Sequence, residues 1–290
     1  MSCPTKSCLA GMKTTYLDAS DANISPMNNG LSISVWLKFN DLSSSLFQPA
    51  VQILLGTDGN FLQPFGGVHG GFEFTSGAVA TVSTLGESAR AWHQYVITWD
   101  ASTGARNHYI DGVLISPETT KTHSLGTNWL SGNAFIILGQ SCYPSDYNTG
   151  TAYTSCNPNF QFTGEMDDVA IFNTVLSASD VTARYGKSLT DRLNAGSEPN
   201  LVFFYNFNDG GLTTAGQIPN LGLAGNNYDL TLGRLPKPTG GTLLGTSYTY
   251  GGATYSFQAP AIMAPSSMPN KDLDTTAPIV TAAAAGESIS

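Results

Sequence analysis

The sequence predicts an all-β, antiparallel sandwich with one short helix and an extended C-terminal tail. Three observations predict it. Apolar residues recur with period two rather than 3.6. The apolar runs are short and separated by Gly-, Asn- and Ser-rich turns, the density expected of two packed sheets. The single helical signal is confined to a few residues after Leu176.

Leu31, Ile33, Val35, Leu37 and Phe39 alternate with Ser32, Ser34, Trp36 and Lys38, a long strand with one aliphatic face. Trp92–Trp99 is a second strand. Asn107–Ile115 is a hairpin turning on Asp111-Gly112, a dipeptide that accepts the positive φ of a two-residue turn. Phe135–Leu138 and Phe160–Phe172 add further strands. Ser177-Ala-Ser-Asp180 places a hydroxyl three residues before a carboxylate, a capping box with Asp for Glu. The helix it opens runs through Tyr185 and stops at Gly186. Leu201–Phe207 is a buried strand, and Tyr228–Leu232 and Thr246–Tyr250 follow, the last turning through Gly251-Gly252 into Ala253–Phe257. Trp36, Trp92 and Trp99 are assigned to the core, and His93 and His108 to structural places in strands. Residues 1–260 are read as one domain whose last strands come from 200–257. Residues 261–290 turn to Pro, Ser, Ala and Thr and are read as a linker.

Charged residues make up 11% of the chain, against about 25% in typical soluble domains. A surface of hydroxyls and amides suits a secreted protein, and the expected location is extracellular or the cell surface. The net charge is −9 with 12 basic residues and no basic cluster, which disfavours nucleic acid and anionic membranes. No apolar run is long enough to insert into a bilayer. Met1 is followed by Ser2-Cys3-Pro4 rather than a signal region, so the chain is read as a stretch of a longer or processed protein. Cys3, Cys8, Cys142 and Cys156 are an even set fitting two disulfides in an oxidising compartment. Of three possible pairings, the local one, Cys3–Cys8 and Cys142–Cys156, is favoured. The second bridge closes a loop of about 15 residues, worth ~3 kcal/mol by loop entropy. Neither pair has zinc-ligand spacing with a nearby His.

Five blocks, in order, carry a resemblance: Leu31–Phe39, Trp92–Asp100 with Tyr109–Gly112, Ile136–Gln140, Phe162–Phe172, and Leu176–Val181. They resemble the "hydrophobic-S-x-W", "W-H … Y-V-D-G", "L-G-Q", "G-x-I-D-D-V" and "L-S-x-x-E-I" segments of the laminin-G-like/pentraxin branch of concanavalin-A-like jelly rolls. The resemblance spans residues 12–186. Leu201–Asn208, before Gly210-Gly211, resembles the opening strand of such domains. It either starts a repeat or completes the first sheet, and the short remainder favours completion. Thr275–Thr281 resembles the entry strand of an immunoglobulin-like repeat.

The same fold hosts glucanases, which carry Glu-x-Asp-x-Glu or Glu-x-Asp-x-x-Glu on one strand so that nucleophile and acid share a cleft. Glu165-Met166-Asp167 begins that motif, but the second Glu is replaced at both spacings, by Val169 and Ala170. No Gly-x-Ser-x-Gly elbow or phosphate loop occurs. The chain is therefore expected not to be an enzyme. The candidate ion is a structural calcium, held by Asp18 or Asp21 with Asp167 or Asp168, because calcium selects hard carboxylate and carbonyl oxygens. Strand alternation allows only one of Asp167 and Asp168 into a given site. The acidic pair that pentraxins carry after "L-G-Q" is missing, although Asp146, Asp58 and Asn60 lie in the corresponding stretches.

Tyr143, Tyr147 and Tyr153 lie between Cys142 and Cys156, rigid rings with polar tips suited to a protein partner or a sugar. Asn23-Ile24-Ser25 is a glycosylation sequon, followed by Pro26. In the tail, Ile279 and Val280 are candidates for strand addition to a neighbour's sheet edge. The expected function is a non-catalytic structural or adhesive module of an extracellular assembly, with copies of itself or other extracellular proteins as partners. The alternative is a carbohydrate-binding module, with glycans as partners and calcium as a possible aid.

Overall fold

A computed structural model describes residues 13–39, 50–55, 61–63, 72–74, 78–80, 90–118, 130, 134–139, 162, 164–207, 217–232, 247–250 and 253–256. The strands are β1 Lys13–Leu17, β2 Gly30–Phe39, β3 Val51–Leu55, β4 Phe61–Gln63, β5 Phe72–Phe74, β6 Ala78–Ala80, β7 His93–Asp100, β8 Arg106–Ile110, β9 Val113–Glu118, β10 Ala134–Leu138, β11 Gly164–Phe172, β12 Leu201–Tyr205, β13 Thr231–Leu232, β14 Ser247–Tyr250 and β15 Ala253–Ser256. Two helices, α1 Ala178–Arg184 and α2 Leu189–Asn194, lie between β11 and β12. A seven-stranded sheet runs β13-β1-β10-β3-β4-β5-β6, and a six-stranded sheet runs β12-β11-β2-β7-β8-β9. β14 and β15 pair with each other. Every strand pairing described is antiparallel.

The alternation in β2 decides how the sheets stack. Leu31, Ile33, Val35, Leu37 and Phe39 enter the core between the sheets, with Ile136 and Leu138 from β10 and Ile97 and Trp99 from β7. The opposite face of the six-stranded sheet is also covered. Val96, Tyr109, Ala170, Phe172, Leu201 and Phe204 form a second apolar cluster under Leu176, Val181 and Leu189. Ser32 anchors the connection into α1: its hydroxyl donates to the Thr174 carbonyl at 2.8 Å and accepts from the Leu176 N–H at 2.9 Å.

The capping box of α1 is present. Asp180 N–H donates to the Ser177 hydroxyl at 3.1 Å, and Ser177 N–H donates to the Asp180 carboxylate at 3.0 Å. Gly186, at φ +68°, follows the last turn. The Asp111-Gly112 turn takes φ +51° and +77°, as a two-residue hairpin demands. A Cβ on Gly112 would lie 2.9 Å from the Tyr185 Cβ, so the turn also needs glycine for its approach to α1.

Some elements depart from the periodicity. β1 and β3–β6 are short or weakly alternating and are not marked by it. α2 begins at the cap Ser188, which accepts from Asp191 N–H at 3.1 Å. Tyr228 lies in a 3₁₀ turn, and only Thr231–Leu232 of the segment after it is strand. Leu201–Tyr205 pairs with β11, so this segment extends the first sandwich.

Candidate binding end of the sandwich

The antiparallel order brings one set of strand ends together. Gly164 of β11 faces Phe39, His93 of β7 faces Leu37, and Lys13 of β1 faces Leu138. Phe162 N–H donates to the Gly139 carbonyl at 3.0 Å, joining the chain on either side of residues 140–161. Lys13, Gly139 and Phe162 thus lie at the same end of the sandwich. The four cysteines, Tyr143, Tyr147, Tyr153, Ile279 and Val280 all lie outside the described residues, as do Asp58, Asn60 and Asp146.

Charged and aromatic side chains gather at this end. Lys38 Nζ donates to Glu165 Oε1 at 2.6 Å across the β2–β11 pair. The buried Glu165 Oε2 has no hydrogen-bond partner among the described residues. Asp111 links the hairpin to β7: its carboxylate lies 2.6 Å from His93 Nδ1 and accepts from Gln94 N–H at 2.9 Å. Trp36 is buried and stacks on Tyr185, with ring centroids 6.0 Å apart. Burial, and then the negative charge of Asp111, push the Tyr95 and Tyr185 phenols up from their ordinary range, so both stay neutral. Trp99 lies in the core and Trp92 is half-buried.

Val169 and Ala170 are fully buried, one in each apolar cluster. Neither the identity nor the place of these residues supplies a second carboxylate beside Glu165 and Asp167.

The candidate calcium residues fall elsewhere. Asp18 and Asp21 sit in the turn after β1, at the opposite end of the strands. Asp18 Oδ1 accepts from the Ser20 hydroxyl at 2.6 Å and from its N–H at 2.9 Å, and these bonds hold its pKa below the usual carboxylate value. Asp21 accepts from Asn23 N–H at 2.8 Å and from the Tyr228 hydroxyl at 3.0 Å. Asp167 and Asp168 are both buried in β11. Strict alternation fails there, because the ladder to β2 shifts between Asp167 and Ala170 and Asp168 takes φ +48°. This bulge places two residues, instead of one, between the core-facing Met166 and Val169. Asp168 N–H donates to Asp167 Oδ1 at 2.9 Å. Among the described residues no three His, Cys, Asp or Glu side chains come together as a metal would need. Calcium held by Asp18 or Asp21 with Asp167 or Asp168 stands as a proposal.

Asn23 is half-buried; its side-chain amide donates to the Leu223 carbonyl at 3.3 Å and its own carbonyl accepts from the Asn173 amide at 2.8 Å. Three residues whose long-range ties local patterns do not mark organise this molecule. Glu198 is buried and receives Arg184 at 2.7 Å on one oxygen and Arg192 on the other. Asn220 is buried and bonds four backbone groups with its side chain. Asp111 is visible in the sequence only as a turn residue, and its tie to His93 appears only once the hairpin folds back on β7. Among the described residues, no helix is long and apolar enough to cross a membrane.

Residues 11–182 match the Laminin G 3 family model, described as the Concanavalin A-like lectin/glucanases superfamily. No curated protein matches the chain. Several solved structures are similar. Domain 4 of AbnA, an extracellular arabinanase from Geobacillus stearothermophilus in complex with arabinotriose, matches at 17% identity and TM-score 0.36, over 54% of this chain and 66% of that one. The CBM40 of the Ruminococcus gnavus IT-sialidase, bound to α2,3 sialyllactose, matches at 12% identity and TM-score 0.38, over 60% of this chain and 94% of that one. A SAP-like pentraxin from Limulus polyphemus matches at 9% identity and TM-score 0.34, over 61% and 82%. The chain thus spans just under two thirds of the arabinanase structure's length.

Proposed function

The chain belongs to the Concanavalin A-like lectin/glucanases superfamily, and from that premise we propose that it is a non-catalytic binding module of an extracellular or cell-surface assembly. The observation that carries this reading is the burial of Val169 and Ala170. A retaining glucanase needs a second carboxylate about 5–5.5 Å from the first. At both positions the motif allows, this chain spends the residue on an apolar core. The fold is kept and the acid/base pair is not.

What remains is a surface for contact. Among the described residues of the loop end, Lys38 is matched by Glu165 and His93 lies beside Asp111. We place partner contact there, through Tyr143, Tyr147 and Tyr153, with Ile279 and Val280 of the tail engaging a neighbouring subunit. Copies of this chain, or other extracellular proteins, are the proposed partners. A glycan ligand is the second reading, favoured by the lectin half of the family's description.

The test removes each contact in turn. Deleting residues 261–290, or changing the three tyrosines to Ala, should reduce the assembled mass measured by light scattering. Unchanged mass in both, together with a binder on a glycan array, would favour the second reading. Release of reducing ends from a polysaccharide by the purified chain would overturn both.

A further inference from the structure

Asn23 sits in the turn between β1 and β2, at the end of the strands away from Gly139 and Phe162. Asp21 shapes the turn: its carboxylate accepts from Asn23 N–H at 2.8 Å, and its carbonyl from Ile24 and Ser25 N–H at 3.0 and 2.8 Å. Ile24 is fully buried in the core between the sheets, Ala22 is exposed and Asn23 is half-buried. Asn23-Ile24-Ser25 is the one stretch of the chain in which an Asn precedes a Ser or Thr by two residues with no Pro between.

Apolar side chains meet solvent around it. Five large apolar residues are exposed among the described residues: Val113, Leu114, Val175, Leu221 and Leu223. Three of the five lie on the two segments that bond Asn23. Its Nδ2 donates to the Leu223 carbonyl at 3.3 Å, and its own carbonyl accepts from the Asn173 side chain, two residues before Val175, at 2.8 Å. Gly222 is buried against β12, where a Cβ would lie 2.3 Å from the Val202 carbonyl oxygen. Leu221 and Leu223 on either side of it are 39% and 44% exposed.

We propose that Asn23 carries an N-linked glycan whose first sugars lie over Leu221 and Leu223. This rests on the extracellular location proposed above. An Asn with a hydroxyl residue two positions on is the acceptor for such a transfer. Nδ2 bonds to the anomeric carbon of a lipid-linked oligosaccharide diphosphate. The carbon–oxygen bond to the diphosphate breaks, the diphosphate leaves with the electron pair, and Nδ2 loses one of its two protons. The other proton still serves the Leu223 carbonyl, so the first sugar is held beside that leucine. Its C–H face removes apolar surface from water, which is favourable. A bulky glycan here also keeps partners off this end and leaves contact to the end formed by Lys13, Gly139 and Phe162.

The test sends the full chain, behind a cleavable signal peptide, through the secretory pathway of a eukaryotic cell. A bare product then reports on Asn23 and not on where the native chain resides. Intact mass should show one N-glycan on part of the product, since Pro26 directly after the sequon slows transfer, and peptide:N-glycosidase should remove it. Asn23→Gln and Ser25→Ala should each abolish it; Ser25→Ala keeps the Asn23 amide and its bond to Leu223. In hydroxyl-radical footprinting, Leu221 and Leu223 of the lectin-purified glycoform should oxidise about threefold more slowly than in the bare chain, with Val113 and Leu114 unchanged. A product with no N-glycan overturns the proposal. So does a glycan that persists in Ser25→Ala, because it is then elsewhere. A glycoform whose Leu221 and Leu223 oxidise at the bare rate overturns the cover over the leucines, and equal slowing at all four residues does the same.

Discussion

The stretch up to residue 182 and the stretch from 183 to 232 are held by different kinds of bond. The first is built from ladders: β2 pairs with β7 over Gly30–Leu37 and with β11, across one bulge, over Ser32–Phe39. The second has the five-residue strand β12 on β11 and the two-residue β13 on β1, and is otherwise attached largely by side chains. Glu198 gathers Arg184 and Arg192 from the two helices. Asn220 covers β12, Tyr205 Oη donates to the Tyr228 carbonyl at 2.8 Å, and Tyr228 reaches Asp21 at the start of the chain. Asn23 and Leu223 tie the same two regions a second time. The family match ends at residue 182, yet the core does not. Val202, Phe203, Tyr205, Ile218, Tyr228 and Leu230 fill the space between the sheets. The later stretch is therefore not an appendage but the closing piece of the sandwich.

The sharpest way to break this comparison is truncation after Gly186. If the ladder part were self-sufficient, the shortened chain would fold. We expect no cooperative thermal transition by circular dichroism, because both apolar clusters lose members and the β11 edge loses its partner. The next largest effect is at Glu198. Glu198→Ala leaves two arginines without their shared carboxylate, and removing one member of a buried ion pair costs about 3 kcal/mol. Urea unfolding should report that loss with the slope unchanged; a loss below about 1 kcal/mol would mean the pairs are screened as on a surface.

Smallest is the α1 cap. Ser177→Ala removes the acceptor of Asp180 N–H and should cost ~1 kcal/mol. The hydrogen bonds from Ser177 hold the Asp180 carboxyl below 3.8. A depressed carboxyl pKa gives stability that is present above 3.8 and is lost as pH falls through the lower, folded value. The difference in melting temperature between Ser177→Ala and the unaltered chain should therefore narrow below pH 3.8. A constant difference down to pH 2 would assign the effect to helix propensity alone.

The same contrast separates what could be read beforehand. Leu31–Phe39, the Asp111-Gly112 turn and the Ser177–Asp180 cap are local patterns: spacing, positive φ and a three-residue reach. Each is legible from neighbours in sequence. Asn220 and Glu198 act on partners whose proximity exists only after the sheet has formed, and nothing beside them in the sequence marks them. The Asp167–Asp168 bulge lies between. The acidic pair is conspicuous, but the ladder shift beside it and the positive φ of Asp168 are not. Of the proposed site, the absence of a second glucanase carboxylate is legible at once from Val169 and Ala170. Their burial in two separate clusters is not.

The Phe162–Gly139 bond has a consequence for engineering. One rung fixes the distance between the roots of everything carried by residues 140–161. The entropy of closing a loop across a fixed span grows only slowly with its length, by about 0.6 kcal/mol per doubling. This position is accordingly a port: a foreign peptide spliced in there meets a pre-set anchorage.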